Sequence, residues 1–127
     1  MSEKTTELIK KSDMERRPLE NCHDGEGAID FTKVYAADIS GKPTAVSFIH
    51  DDILPPGVSI GYHNHADNEE YYYIISGSGR MQLDDEEYSI SAGDIAIVYP
   101  GGSHGLINDS DKPLRILVVG ASNRRNI

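Results

Sequence analysis

Glycine, proline and aspartate cut this chain into short pieces from about Ile29 onward, and no piece carries the sustained apolar stripe of a long helix. What the pieces carry instead is the alternation of half-buried strands. Ile29 to Tyr35 places Ile29, Phe31 and Tyr35 on one face, and Ser40-Gly41-Lys42-Pro43 turns the chain into Thr44 to His50. After the turn Leu54-Pro55-Pro56-Gly57 come the runs Ser59 to His65 and Glu70 to Ser76. Arg80 to Leu83 and Tyr88 to Ile90 make a hairpin across the acidic turn Asp84-Asp85-Glu86-Glu87. Ser91-Ala92-Gly93-Asp94 leads into Ile95 to Tyr99, and His104 to Asn108 and Leu114 to Val119 follow. This pattern predicts an all-β sandwich or barrel, and closure into a barrel removes the aggregation-prone edges of an open sheet.

Potential metal ligands sit on these runs. Side chains alternate along a strand, so His63 and His65 point the same way, close enough for both rings to reach one ion. Glu70 lies an odd number of residues further on and would face away on one unbroken strand. Ala66-Asp67-Asn68 has the composition of a turn, however, so a new strand can begin with its parity reset. Glu69 competes for the same role if that strand starts one residue earlier. Tyr99-Pro100-Gly101-Gly102-Ser103-His104 is a second turn ending in a histidine. Imidazoles with a carboxylate and no thiolate suit a divalent transition metal with open coordination positions.

These residues resemble the motifs of the cupin family. Gly57, His63, His65, Glu70 and Gly77 stand at the steps of the first motif, and Gly93, Pro100, Gly101, His104 and Asn108 at those of the second. Tyr99 departs from it, standing where the second motif usually has its first proline. The resemblance covers roughly residues 45 to 120. It implies a small antiparallel double-stranded β-helix, a jelly-roll barrel, with one divalent metal inside held by His63, His65, Glu70 and His104, and its spacing favours Glu70 over Glu69. Manganese or iron(II) is favoured, because two open octahedral positions would let a small carboxylate or hydroxy-carbonyl compound chelate; zinc, nickel and cobalt also fit the donors. Substrate is not implied, since one fold hosts many chemistries.

Composition narrows the class further. A chain of 127 residues is one domain's worth, and its 38% hydrophobic and 26% charged content is ordinary for a globular domain. The sequence suggests a polar N-terminal arm over residues 1–17 with a helical fragment at Thr6 to Lys11, a single barrel over 18–120, and a polar tail over 121–127. Arg16 and Arg17 read as flexible surface charge. Met1 to Lys11 has no apolar run of a signal peptide, and the single cysteine, Cys22, fits a reducing compartment, so a cytoplasmic protein is expected. Cys22 reads as an incidental loop thiol and His23 as an exposed loop histidine. A net charge of −9 argues against nucleic acid as a partner. Nor is there an apolar stretch to span a membrane.

If Glu70 faces inward, so do Tyr72 and Ile74, leaving Tyr71, Tyr73 and Ile75 on the other face. Apolar residues on both faces imply that both are covered, by a homodimer partner or by another strand of the same chain such as Ile29 to Tyr35. Tyr72 and Tyr99 are the pocket candidates for a catalytic donor or general acid, whereas Tyr62 faces away. His50 is of undetermined parity, and Asn108 reads as securing a strand end. Two functions compete. One is a small metalloenzyme with dioxygenase, decarboxylase or lyase, or isomerase chemistry on a metal-chelated small molecule; the other is a non-catalytic module binding a dicarboxylate such as oxalate, or a sugar.

Overall fold

In the computed structural model, which describes residues 5–122 (39 and 40 by backbone alone), the short runs form two antiparallel sheets facing each other. The strands are β1 (Glu15–Glu20), β2 (Ala28–Ala36), β3 (Val46–Leu54), β4 (Ser59–Asn64) and β5 (Asn68–Ser76), then β6 (Ser78–Leu83), β7 (Glu86–Ser91), β8 (Ile95–Val98), β9 (Ser103–Ile107) and β10 (Leu114–Ser122). The large sheet runs β1-β2-β3-β10-β5-β8 and the small one β4-β9-β6-β7. This is the all-β double-stranded β-helix that the motifs implied. Helix is confined among the described residues to single turns, such as α1 (Ala37–Ser40), closed by Gly41 in the left-handed region.

The core lies between the sheets. Leu114, Ile116 and Val118 of β10 are buried while Arg115 between them is exposed, and β5 buries Glu70, Tyr72 and Ile74 with the same period. Against them the small sheet brings Ile60, Met81, Ile90 and Leu106. The turn at 66–67 resets strand parity as the composition suggested, and β5 then places Glu70 level with Gly120 of β10.

Three local expectations change. Thr6 to Lys10 form no helix, and a single 3-10 turn follows at Lys11–Asp13. Glu15 to Arg17 join the large sheet through β2, with Arg16 paired to Asp30 and the Arg17 guanidinium 5.0 Å from the Phe31 ring centroid, so these arginines are not loose surface charge. Tyr35 does not share a face with Ile29 and Phe31. A bulge between Lys33 and Tyr35 shifts the register, so that Lys33 opposes His50 but Tyr35 opposes Ile49. At the other end β10 takes in Ala121 and Ser122. The rest of the expected tail, and residues 1–4 of the arm, lie outside the described residues.

One buried amide closes the end of the barrel away from the ligands. Asn108 is fully buried just after β9; its Nδ2 donates to the carbonyls of Leu54 (2.8 Å) and Lys112 (2.7 Å), and its Oδ1 accepts from Ser110. It also pairs through its backbone with Gly57 and Val58. Asn108→Ala takes the side-chain donor from the buried Leu54 carbonyl, while Lys112 O can still accept from the Ser110 hydroxyl (3.0 Å); one buried unsatisfied group costs about 1–3 kcal/mol. Urea unfolding of this variant should show a loss of about 1–3 kcal/mol. A loss under about 0.5 kcal/mol would show that water replaces the amide.

Candidate metal centre

β4 and β9 run side by side with His63 opposite His104, and His65 follows at the end of β4. A short ladder ties the two motif turns together: His65 N donates to Gly102 O (2.8 Å), Gly101 N donates to His65 O (2.5 Å), and Asn64 Nδ2 reaches Gly101 O (2.9 Å). From the opposite sheet β5 presents Glu70. The ligand atoms of His63, His65, Glu70 and His104 all lie within 4.8 Å of one another. His65 Nε2 is 2.8 Å from His104 Nε2, and Glu70 Oε1 is 3.2 Å from the former and 3.4 Å from the latter. Glu69 points elsewhere and accepts a hydrogen bond from the Tyr71 hydroxyl.

Tautomers are set from behind. The His63 Nδ1–H donates to Gly61 O (2.7 Å) and the His65 Nδ1–H to Asn68 Oδ1 (3.1 Å), which leaves the Nε2 lone pair of each ring facing the cluster. His104 has no such partner on Nδ1; its ring is oriented by packing, edge to face with Tyr72 at 5.0 Å. His63 Nε2 and Glu70 Oε1 are buried without a hydrogen-bond partner. Lone pairs turned towards one another, with an ionised carboxylate among them, fit a bound divalent cation. One shared proton would satisfy a single pair and leave the others opposed.

Electrostatics agree with this. Burial alone would raise the Glu70 carboxyl, but the neighbouring His104 and His65 rings and the Tyr72 hydroxyl outweigh it and hold Glu70 below its usual range. Burial pushes His63 down to about 4, so its ring is neutral, as ligation requires, well into mild acid.

Of the two tyrosines, Tyr72 is buried beside Glu70. Its hydroxyl is pushed well above its ordinary value by burial first and then by the Glu70 charge, which makes it a hydrogen-bond donor and not a base. Tyr99 is a correction. It is 63% exposed at the β8–β9 turn, because inward parity on β8 belongs to Ala96 and Val98 and the strand ends one residue earlier. Tyr62 faces away as expected, its hydroxyl bonded to Asp84 O.

Several interior groups were not legible as such. His50 faces inward, between Phe31 at 4.6 Å and Phe48 at 4.4 Å, and burial lowers it to about 4. Asp52 is buried with Oδ1 unpartnered, and burial followed by the charge of Asp51 raises it to about 7. Cys22 packs against the core, and burial lifts its thiol to about 11, leaving it unreactive at neutral pH. His23 is an exposed loop histidine, as the sequence reading had it, but its ring also stacks on His63, with centroids 3.6 Å apart and planes 14° from parallel. The run Phe48 to Leu54 offers an acid on each parity, which is why Asp52 could not be chosen over Asp51. Only the glycines at 25, 27 and 61 hinted that the loop holding His23 might pack closely.

Comparison with known proteins follows the same lines. Residues 51–120, more than half of the chain, match the family model described as Cupin domain. The chain is 28% identical over 120 residues to an oxalate-binding protein of Thermotoga maritima, covering 94% of this chain and 97% of that one. It is 38% identical over 65 residues to an uncharacterized protein of Methanocaldococcus jannaschii, about half of each chain (51% and 52%). A crystal structure described as a predicted oxalate decarboxylase of Thermotoga maritima superposes with a TM-score of 0.83 at 25% identity, covering 91% of this chain and 99% of that one. KdgF from a Halomonas species shares the fold at a TM-score of 0.73 and 15% identity, over 94% and 96% of the two chains.

The raised Asp52 gives a signed pH dependence. Folded, it keeps a proton between about 4 and 7 that the unfolded chain has lost, so its burial costs stability as pH rises through that window. His50 and His63 act oppositely, costing stability as pH falls from 6.5 towards about 4. Asp52→Asn removes only the first effect. Relative to the parent it should gain about 1.4 kcal/mol per pH unit between pH 5 and 7 in denaturant titrations, and a gap that does not change with pH contradicts the assignment.

Proposed function

The chain belongs to the cupin family, and from that premise we propose that it holds one divalent transition metal per chain at His63, His65, Glu70 and His104 and uses it to bind a small chelating carboxylate, with oxalate or a similar dicarboxylate as the first candidate. The observation that carries this reading is the convergence of three imidazoles and one carboxylate whose ligand atoms all lie within 4.8 Å of one another, with lone pairs facing inward. Manganese or iron(II) fits best, since four protein donors leave two positions of an octahedron for the two oxygens of a chelate. When bound, the cation supplies positive charge and Lewis acidity at a site in a chain of net charge −9. Among the protein's own groups, Glu70 balances that charge, Gly61 and Asn68 hold two rings in register, and Tyr72 donates to the carboxylate and excludes water on its side. The Thermotoga maritima matches, named as an oxalate-binding protein and as a predicted oxalate decarboxylase, support the ligand class.

Catalysis is the second reading, and a specific observation favours it: Tyr72 and the protonatable Asp52 both face the barrel interior. Decarboxylase or isomerase chemistry needs a group that moves a proton to or from the bound compound, and these two are the interior candidates. Turnover is separated from binding by incubating the manganese- and iron(II)-loaded protein with oxalate under air and following formate and carbon dioxide.

Metal analysis of the purified protein should find about one transition metal per chain, and His63→Ala combined with His104→Ala should reduce it to near zero and abolish oxalate binding in calorimetric titration. Metal content unchanged in the double variant would remove the site.

A homodimer completes the proposal. The outer face of β5, β8 and β10 carries Tyr71, Tyr73, Ile75, Ile95 and Ile97 with Leu117, and β2 lies in the plane of the same sheet, so it does not cover that face. Light scattering should give twice the monomer mass for the parent and the monomer mass for Tyr73→Asp with Ile95→Asp. A monomeric parent contradicts the pairing. The same reading places the protein in a reducing, cytoplasmic setting, in keeping with its single free thiol.

A further inference from the structure

The loop between β1 and β2 is bound tightly to the ligand strand. Glu26 O accepts from Ser59 N (2.9 Å), Ser59 Oγ accepts from Glu26 N (2.9 Å), and Asn21 N donates to Gly27 O (2.9 Å). Gly25 and Gly61 make the approach possible: a Cβ on Gly61 would fall 1.9 Å from His23 O, and one on Gly25 2.3 Å from Ser59 O. Within this turn three residues other than glycine, Asn21, His23 and Asp24, hold positive φ of 50°, 50° and 64°. Such conformations are costly and persist only where surroundings enforce them, often at a site of function. Here the enforced conformation delivers one side chain, His23, flat onto His63.

That side chain lies at the edge of the cluster, against His63. Its residue is exposed, while its ring face lies against the ring of His63, one of the four converging groups. It is not among the four converging donors. A neutral imidazole there offers one N–H donor and a flat wall.

We infer that His23 is a ligand-binding residue of this site, its ring N–H gripping the oxygens of a small dicarboxylate that the cation leaves free. The inference rests on the dicarboxylate reading above. Chelation alone would accept any pair of oxygens; a donor fixed beside the cation selects compounds with further acceptors at that spot. The −9 chain has only Arg80 as a lysine or arginine between Asp51 and Pro100, so the imidazole supplies the polarity that a basic side chain would supply elsewhere.

The test compares the manganese-loaded parent with His23→Phe, which keeps a flat ring against His63 but no donor, and His23→Gln, which keeps a donor. Metal content is read by elemental analysis and oxalate and malonate affinity by calorimetry. His23→Phe should keep about one manganese per chain and bind oxalate about tenfold or more weakly, the worth of a hydrogen bond to a charged group, with part of the loss recovered in His23→Gln. Parental affinity in His23→Phe overturns the inference and leaves the dicarboxylate reading intact. Loss of manganese in His23→Phe also overturns it, assigning the stack to holding His63. A loaded parent that binds neither acid overturns the carboxylate reading, and the grip with it.

Discussion

Three imidazoles and a carboxylate cannot be gathered inside an apolar barrel unless something takes up their lone pairs. His104 is completely buried and Glu70 nearly so, and burying such groups unmatched costs several kcal/mol. Gly61 and Asn68 make the conflict sharper, since by accepting the Nδ1 protons they turn the Nε2 lone pairs of His63 and His65 inward. A divalent cation reverses the sign of every one of these interactions. A cluster that would weaken the empty barrel is then among the strongest contacts of the loaded one.

The rest of the fold serves that convergence. His63 and part of the backing come from β4, His65 from just past its end, His104 from β9 beside it, and the carboxylate from β5 in the facing sheet, so that the site bridges both layers. Its mouth is fixed by backbone pairing between His65 and the Gly101-Gly102 turn. Opposite Glu70 the large sheet has Gly120, where an added Cβ would strike the Phe48 ring at 2.1 Å. Phe48 therefore lies across the sheet there, and the glycine is a packing requirement of the chamber wall. Farther from the ligands, Asn108 binds the start of β4 and the end of β3 to the loop before β10.

Most of this was legible in the residues because it depends on local rules. Strand period and turn composition located every strand from β2 to β10 within a few residues, and the reset at Ala66-Asp67 brought Glu70 inward. What escaped depends on relations between distant segments. The bulge that turns Tyr35 outward is set by pairing with β3, and nothing local to Val34 announces it. Asp51 and Asp52 are adjacent acids on a strand with apolar neighbours on both parities, so only the sheet decides which is buried. His23 stacks on a ring forty positions away, through a loop whose composition reads merely as flexible. Tyr99, a pocket candidate on the sequence, lies in solvent because β8 ends before it and the turn carries it outward.

The central claim is that these four side chains share a single cation, and X-ray absorption at the metal edge of the loaded protein addresses it directly. A first shell of nitrogen and oxygen without sulfur, with the outer-shell scattering of three imidazole rings, is the predicted spectrum. A metal surrounded only by oxygen, or with scattering from a single ring, would place it elsewhere on this acidic surface and contradict the account.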